Sequence, residues 1–335
     1  MSGNFPRGKR CLVLALTFAA TALAGMSSSD AAPSAAPPPG LVASAPDPST
    51  GTVVGLASSP GSNLAATWVW NGTVWKERST FGEVPPMRSD TAMAYDAATK
   101  TVVLFGGQSG SSISAGNFRI HGDTFVWNGR TNTWSMATPD VSPSPRIGPT
   151  LAYDAATRTV LLFGGTVNTG NHVGQLNDTW AWNGATQTWA LQNVPVSPLP
   201  RRSHAMAEDK LNKTVVLFGG ITSPSVLLGD TWVWNGAAKT WTEQSPANTP
   251  SPRRFARMAY DGARSNAVLF GGDNVNSLLA DTWTWNGTNW KQRALTGLTP
   301  QANGSTMAYH AGTQKVVLVS GDTWLWNGIS WKRPL

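Results

Sequence analysis

Residues 145–189 read PRIGPTLAYDAATRTVLLFGGTVNTGNHVGQLNDTWAWNGATQTW. Four short runs rich in Val, Leu, Thr and aromatic residues occur in this stretch, at Thr150–Tyr153, Thr159–Phe163, Asp178–Trp182 and from Trp189 onwards. Residues typical of turns separate these runs, at Asp154–Thr157, Gly164–Gly165 and Asn183–Gly184. Because apolar runs this short between turns indicate strands rather than helices, the stretch predicts a four-stranded antiparallel meander.

The same unit recurs along the chain. Its second strand begins at five places spaced by 58, 55, 52 and 49 residues: Thr101, Thr159, Thr214, Asn266 and Lys315. A sixth, more divergent copy lies at residues 45–58. The third strand, which ends in Trp-Asn-Gly, begins at six places: Thr67, Thr124, Thr179, Thr231, Thr282 and Thr323. Such repeats are typical of a β-propeller, so we expect an all-β fold with six four-stranded antiparallel blades over residues 41–335.

The aromatic residues follow the same period. The 17 tryptophans fill three positions per unit, and Phe125 takes the eighteenth. Two of these positions are at i and i+2 of the third strand, hence on one face, and the third opens the fourth strand. Because both faces of a propeller blade are covered by neighbours, we predict that these side chains pack between blades. The four tyrosines share one first-strand position and are assigned to packing as well.

Several of these elements resemble kelch repeats of the galactose-oxidase-like type. They are Pro-Arg before the first strand, Leu-Phe-Gly-Gly at the end of the second, Asp-Thr-Trp in the third and a single Trp opening the fourth. The resemblance covers about Val42 to Leu335. The terminal units depart from it, since Ala57-Ser58 and Ser320-Gly321 replace Gly-Gly. The chain begins with a first strand and ends with a fourth, so closure of the ring is expected to depend on packing alone.

The N-terminus predicts export. Arg7, Lys9 and Arg10 precede an apolar run at Cys11–Leu23, and Ala22–Ala24 has the small residues of a cleavage site. We therefore expect a signal peptide at residues 1–24, a disordered Ser/Ala/Pro-rich spacer at residues 25–40 and a secreted mature protein. A retained membrane anchor is the alternative.

Charge and cysteine content exclude several classes of function. The formal net charge of +7 falls to +4 once the three basic residues of the signal peptide are removed. No dense run of basic residues remains, so neither nucleic acid nor, after cleavage, a membrane is an expected partner. Cys11 is the single cysteine and lies in the signal peptide. The copper chemistry that the galactose-oxidase resemblance implies needs a tyrosine–cysteine cofactor and is therefore not expected. We expect a monomer without cofactor or metal.

Candidate ligand-binding residues come from the face that carries the long, variable loops between second and third strands. Arginines recur before the first strand, and histidines or a further arginine lie in the two longest loops. The candidates are Arg88, Arg146, Arg201, Arg253, Arg202, Arg254, Arg119, His121 and His172. They form a cationic rim suited to an acidic ligand. The alternative is that Arg88, Arg146, Arg201 and Arg253 pair with the Asp that opens the third strand of each unit.

Two classes of function remain open. The leading hypothesis is a non-catalytic binding module for a carbohydrate or a protein. The alternative is a sugar epimerase or lyase on the same scaffold, since the acid and base of such an enzyme need no local motif. We find no nucleophile elbow, paired-carboxylate motif or phosphate loop, and no catalytic residue is assigned.

Overall fold

In a computed structural model the chain divides into two units, residues 1–30 and 31–335. Apart from Met1, every described residue belongs to the second unit. The structure describes Met1, residue 34 and residues 36–59, 61–110, 118–168, 173–295, 297–301 and 306–334. The predicted signal peptide and most of the predicted spacer therefore lie outside the described residues.

The first half of the ring contains three blades. Blade 1 comprises β1 (Ala43–Asp47), β2 (Thr52–Ala57), β3 (Ala66–Trp70) and β4 (Trp75–Arg78), followed by a linker strand, β5 (Phe81–Gly82). Blade 2 comprises β6 (Ala92–Asp96), β7 (Thr101–Phe105), two loop strands, β8 (Gln108–Ser109) and β9 (Arg119–Ile120), then β10 (Thr124–Asn128) and β11 (Thr133–Ala137). Blade 3 comprises β12 (Thr150–Asp154), β13 (Thr159–Phe163), two loop strands, β14 (Thr166–Asn168) and β15 (Val173–Gln175), then β16 (Thr179–Asn183) and β17 (Thr188–Leu191).

The second half of the ring contains blades 4 to 6. Blade 4 comprises β18 (Ala205–Asp209), β19 (Thr214–Thr222), β20 (Val226–Asn235) and β21 (Thr240–Gln244). Blade 5 comprises β22 (Arg257–Asp261), β23 (Asn266–Phe270), β24 (Thr282–Trp285) and β25 (Trp290–Arg293). Blade 6 comprises β26 (Thr306–His310), β27 (Lys315–Ser320), β28 (Asp322–Trp326) and β29 (Trp331–Lys332).

Six antiparallel sheets confirm the predicted six-bladed all-β propeller. Within each blade the strands follow one another in sequence order, and the described residues contain no helix. Blade 2 has one feature that the repeats did not predict. The linker strand β5 pairs in parallel with the outer strand β11, which makes this sheet five-stranded.

The six first strands form a closed inner ring. Each of them contacts the first strands of both neighbouring blades, including β1 against β26. The third residue of all six strands is an alanine with little or no exposure, and this small side chain allows six strands to approach one axis: Ala45, Ala94, Ala152, Ala207, Ala259 and Ala308. The inner ring thus fixes the geometry of the loops at either end of the axis.

Apolar layers fill the six interfaces between blades, and each layer draws on two adjacent blades. The second Trp of each third strand pairs directly with the Trp of the fourth strand, whether the turn between them is short, as at Trp70 and Trp75, or long, as at Trp127 and Trp134. All four are 0–1% exposed. The predicted packing role of these tryptophans is confirmed, and burial of each large side chain contributes about 3 kcal/mol.

A ring of side-chain hydrogen bonds links the blades. In every blade the indole Nε1 of the fourth-strand Trp donates to the Thr that opens the third strand of the preceding blade, at 2.8–2.9 Å. The bond from Trp75 in blade 1 to Thr323 in blade 6 closes this ring. His310 Nε2 also donates to Gly51 O across the same junction, at 2.8 Å. Closure by packing alone was therefore wrong, because hydrogen bonds cross the junction as well.

Candidate functional site

One face of the ring, here called the long-loop face, carries the connections between blades and the loops between second and third strands. Backbone hydrogen bonds join these connections around the axis: Gly148 N donates to Asp90 O at 2.9 Å, Ser203 N to Gly148 O at 3.4 Å, and Phe255 N to Ser203 O at 2.8 Å. Asp90, Ser203 and Phe255 have φ between 53° and 60°. This backbone arc fixes the mouth of the central axis over blades 2 to 5.

Four of the candidate arginines lie below this arc in buried ion pairs. Each guanidinium holds the Asp that opens the third strand of its blade: Arg88 with Asp123, Arg146 with Asp178, Arg201 with Asp230 and Arg253 with Asp281. Each also donates to the carbonyl of the first Gly of the Gly-Gly turn, at 3.0–3.2 Å. The four arginines are 0–1% exposed. These four arginines stabilise the loops around the site, as the pairing alternative predicts, and are too buried to contact a ligand.

The pKa values of two of these aspartates, Asp123 and Asp281, lie below the usual value. Burial alone would raise the pKa of Asp281, but hydrogen bonds from Arg253 and Trp283 and the charge of Arg253 hold it below its usual value. The pKa of Asp123 is also held well below its usual range, against burial, by His121 and Arg88. The first Trp of the third strand donates to this Asp in blades 3, 4 and 5. Blade 2 has Phe125 at that position, and His121 Nδ1 lies 3.6 Å from Asp123 instead.

The histidines and the arginine of the long loops occupy different settings. His121 is 2% exposed, and its Nε2 lies 2.9 Å from Ser109 Oγ, so it packs beneath the β8–β9 loop. Arg119, in β9, is exposed. His172 lies outside the described residues. The loop of blade 2 therefore offers Arg119, and not His121, to a ligand at the surface.

The two second arginines differ from each other. Arg254 pairs with Asp273 through its Nε, which donates to both carboxylate oxygens at 3.0 and 3.3 Å, and its guanidinium carbon lies 5.2 Å from the centre of the Phe255 ring. Arg202 forms backbone hydrogen bonds with Ile221, but its side chain pairs with no other side chain in the part of the chain that the structure describes. Arg202 is thus the freer cation of the two at the mouth of the axis.

The structure adds a pocket that the sequence did not predict. The first and second residues of the inner strands, with the residues just before them, line a cavity of about 130 Å³ on the axis. We call it the axial cup. Its polar side chains are Ser44, Thr91, Thr150, His204, Arg257 and Thr306. Its apolar side chains come chiefly from the second row and include Met93, Leu151, Met206, Met258 and Met307.

Arg257 is the unusual residue of the cup. The first residue of the inner strand is Ala or Thr in the other five blades, whereas blade 5 places a guanidinium there. Its Nε is buried without a hydrogen-bond partner, and the described residues offer it no ion pair. Burial lowers the pKa of Arg257 and the charge of Asp90 acts in the opposite direction, but a guanidinium remains protonated at neutral pH. Arg257 as a whole is only partly buried, but a partly desolvated cation without an ion pair still favours an anion beside it.

His204 lies in the same cup and is neutral. It is 4% exposed, and its Nε2 lies 2.5 Å from Thr150 Oγ1. Burial, together with the positive charge of Arg201, lowers the pKa of His204 well below the usual value. Its Nδ1 is buried without a partner. A ligand in the cup would therefore meet one cation, hydroxyl groups and a neutral ring nitrogen.

The sequence held a signal for Arg257 that the repeat alignment can reveal. The candidate arginines recur just before the first strands, whereas Arg257 lies inside a first strand and has no counterpart in the other repeats. Arg257 is notable because it differs from the Ala or Thr at the same position in the other five repeats. His204 lies just before the first residue of β18, and only the folded ring brings it into the same axial cup as Arg257.

Apolar side chains surround the long-loop face near blades 4 and 5. Val226 at the tip of the β19–β20 hairpin is 54% exposed, and Val275 and Leu278 in the loop after β23 are 63% and 60% exposed. Isolated exposed aliphatics are ordinary, but three in adjacent loops beside a cationic pocket are typical of a surface that another molecule covers. Within the described ranges, no group of three His, Cys, Asp or Glu residues could hold a metal ion. No helix there has the length and hydropathy to cross a membrane.

Comparisons with known proteins agree with this architecture. Residues 55–207 and 155–328 match the family model of the KLHDC2/KLHL20/DRC7 Kelch-repeats domain. Kelch domain-containing protein 1 of Mus musculus is 30% identical over 170 residues, which are 48% of this chain and 39% of that protein. An F-box/kelch-repeat protein of Arabidopsis thaliana is 33% identical over 158 residues, 42% of this chain and 31% of that protein. The chain thus spans well under half the length of these curated relatives.

A solved structure shares the fold. The structure of YjhT superposes with a TM-score of 0.64 over 89% of this chain and 98% of that one, at 13% sequence identity. Identity this low shows the architecture and nothing of the ligand. Two matches to one family model together cover most of the ring, and the structure shows its six blades. The chain belongs to the kelch-repeat β-propeller family.

Proposed function

We propose that this protein is an exported, non-catalytic binding module that captures a protein partner on its long-loop face. An acidic group of the partner enters the axial cup and pairs with Arg257, and the loops of blades 2 to 5 contact the surrounding surface. The observation that carries the proposal is the partly exposed guanidinium of Arg257 in the axial cup, whose buried Nε has no hydrogen-bond partner among the described residues. Arg257 makes no ion pair with any described residue, and only the more distant charge of Asp90 acts on it, so a carboxylate in the cup would pair with it directly.

The size of the cup supports insertion of a single group. Sites that enclose whole small molecules have volumes of about 300–1,000 Å³. The axial cup, at about 130 Å³, accommodates a side chain or a chain terminus better than a complete ligand. The exposed Val226, Val275 and Leu278 then contact apolar surface of the same partner. These aliphatics favour a protein over a carbohydrate as the ligand.

The neutral state of His204 supports binding rather than acid–base catalysis. An enzyme that moves protons near neutral pH needs a group whose pKa lies close to 7. The pKa of His204 is shifted well away from that value, and Arg257 cannot release its proton at such a pH. The described part of the axial cup therefore holds one fixed cation and no proton-transfer pair.

Selection of peptides tests the proposal. A random-peptide display library selected on the mature protein should yield binders enriched in Asp, Glu or a free C-terminal carboxylate. The substitution Arg257→Met, which keeps the length of the side chain and removes its charge, should weaken them roughly 30-fold, as loss of a desolvated charge pair does. Arg130→Met, at an exposed turn on the opposite face, is the matched control and should leave binding unchanged.

Two results would overturn the proposal. Selected peptides could contain no acidic group, or they could bind Arg257→Met as tightly as the wild type. A glycan array measured with the same two variants decides between a protein and a carbohydrate ligand: the proposal requires that no glycan shows Arg257-dependent binding.

Export is tested separately. Expression of the full chain with its N-terminus intact should release a protein outside the cytoplasm that begins at Gly25, because Ala22–Ala24 supplies the cleavage motif. N-terminal sequencing of the released protein measures this. Replacing Ala22 and Ala24 by bulky residues should block release, whereas the same change at Ala31 should not. Protein that stays in the cytoplasm uncleaved would contradict export.

A further inference from the structure

The axis has a second end, on the face that carries the tight turns after the first and third strands. Alternation along a strand places every second side chain on the same side, so the fourth residue of each inner strand points as the second does, towards the axis. The second row lines the axial cup. The fourth row is partly buried in every blade: Pro46, Tyr95, Tyr153, Glu208, Tyr260 and Tyr309. Four tyrosines and one glutamate therefore surround the axis at its far end.

Glu208 is the unpaired group of this row. It makes no hydrogen bond or ion pair with any residue that the structure describes. The carboxylates near it are already engaged. Asp154 accepts hydrogen bonds from Ala156 N, Thr157 Oγ1 and Trp234 Nε1, at 2.8–3.1 Å. Asp209 accepts from Asn212 at 2.8 and 3.3 Å. Only Glu208 among these acids leaves both carboxylate oxygens open to a further partner.

Tyr153 and Tyr260 hold the same fourth position as Glu208 on β12 and β22, the two inner strands that contact β18. The negative charge of Glu208 contributes to raising the pKa of Tyr153, in the preceding blade, and of Tyr260, in the following one, although burial is the larger cause for each. Tyr260 leans over the turn of blade 4, because its hydroxyl accepts a hydrogen bond from Leu211 N at 3.2 Å. Tyr309 leans in the same sense, with its ring against Gly262 of blade 5. Tyr260 and Tyr309 thus both lean towards the preceding blade, and the side chain of Glu208 is shorter than the tyrosines at the same position in the neighbouring strands.

A carboxylate between aromatic rings matches one kind of ligand. Organic ammonium groups gain both from a negative charge and from the electron-rich face of tyrosine. We propose that Glu208, Tyr153 and Tyr260 form a binding site for an alkylammonium group, at the opposite end of the axis from the axial cup. The source is a free quaternary amine or a lysine side chain of a partner, and the chemistry recognised is the same. This site does not depend on the proposed function of the long-loop face.

Charged neighbours set the pH range of the site. Burial raises the pKa of Glu208 to about 7, the charges of Asp154 and Asp209 act in the same direction, and exposed Lys210 acts against them. The neighbouring Tyr153 also faces Arg158, whose charge lowers the pKa of that tyrosine. Because Glu208 carries its charge only above about pH 7, ammonium binding should strengthen as the pH rises from 6 to 8, and the bound cation should in turn lower the pKa of Glu208.

The glutamate content of the chain makes a direct measurement possible. There are four glutamates, Glu77, Glu83, Glu208 and Glu243. Selective ¹³C labelling of their carboxyl carbons gives four resonances that can be titrated separately. Tetramethylammonium chloride, compared with sodium chloride at equal ionic strength, should lower the apparent pKa of Glu208 by about 0.5 or more, a roughly threefold preference for the ionised form. The other three glutamates should not respond.

Variants separate the site from a general ionic effect. Glu208→Gln should abolish the tetramethylammonium-dependent shifts of labelled Tyr153 and Tyr260, and Tyr153→Leu should reduce the pKa change of Glu208. Lys210→Met removes the competing cation and should strengthen binding. A short lysine peptide that reproduces these shifts identifies a protein source, whereas a response to tetramethylammonium alone identifies a free amine. Equal shifts of all four glutamates, or no shift of Glu208, would show that the site does not exist.

Discussion

At the scale of single residues, the arginines of this protein divide into those that hold the frame and those that face a ligand. Arg88, Arg146, Arg201 and Arg253 satisfy their guanidinium groups inside the ring. Arg257 has the same chemistry but no partner among the described residues. A paired and an unpaired guanidinium thus lie only four residues apart in blade 5: Arg253 is buried in its ion pair, whereas Arg257 is partly exposed in the axial cup.

The buried pairs should matter for stability. Arg146→Ala leaves Asp178 without its bidentate partner and removes the bonds to Ser144 O and Gly164 O. We expect the free energy of unfolding to fall by about 3 kcal/mol, as when one member of a buried ion pair is removed. Arg254→Ala breaks a half-exposed pair and should cost about 1 kcal/mol or less. Urea denaturation of both variants measures the difference, and equal losses would contradict the assignment.

At the scale of elements, the third and fourth strands of a blade, with the hydrogen bond from the fourth-strand Trp to the preceding blade, form the unit that repeats. Trp241 of β21 packs 5.4 Å from Trp234 and donates to Thr179 of blade 3 at 2.9 Å. The indole therefore stabilises its own sheet by ring packing and the neighbouring sheet by a directed bond. The bond also requires the fourth strand to stay in register, because a slip of one residue would turn the indole to the other face.

A double-mutant cycle isolates this bond. Trp241→Phe and Thr179→Val each remove one partner, and the double variant removes both. We expect a coupling of about 1 kcal/mol in the free energy of unfolding, the usual net value of a buried hydrogen bond. Single losses that simply add, with no coupling, would mean that the indole acts by packing alone.

At the scale of the whole molecule, the junction between blades 1 and 6 has its own titrating group. His310 takes the place of the Asp that ends the inner strand in the other five blades. Its Nδ1 accepts from Thr313 N at 3.1 Å while its Nε2 donates to Gly51 O at 2.8 Å, so the folded ring holds the neutral ring form. Burial lowers the pKa of His310, and the hydrogen bond to Gly51 acts against this shift.

The junction should therefore weaken in acid. A folded-state pKa below the unfolded value of about 6.5 means that protonation favours the unfolded chain, so stability is full above pH 6.5 and falls as the pH drops below it. His204, shifted in the same direction, adds to the effect. Melting temperatures measured at pH 7.5 and pH 5 should differ less for His310→Gln than for the wild type. An equal difference would exclude a role for His310.

Period and turn chemistry were sufficient to predict the blades and the tryptophan layers, and they offered the pairing of Arg146 with Asp178 as the alternative to a ligand-binding role. These features recur, and each copy strengthens the inference from the others. The axial cup and Glu208 could not be predicted in this way, because each depends on one residue that departs from its repeat. Their partners on the axis come from other blades, more than 40 residues away in sequence, and only ring closure brings them together. The strand β5 is a further exception, since a two-residue pairing leaves no pattern.

The bond from Trp75 to Thr323 has a consequence for the order of the blades along the chain. It is the same bond, at the same length, as the five that join consecutive blades. In this bond, the junction between the first and last blades is therefore equivalent to the junctions between consecutive blades. A circularly permuted gene that starts at Thr150 and joins the present ends through a flexible linker should therefore encode the same ring, with the new break at a junction that is held as the old one was.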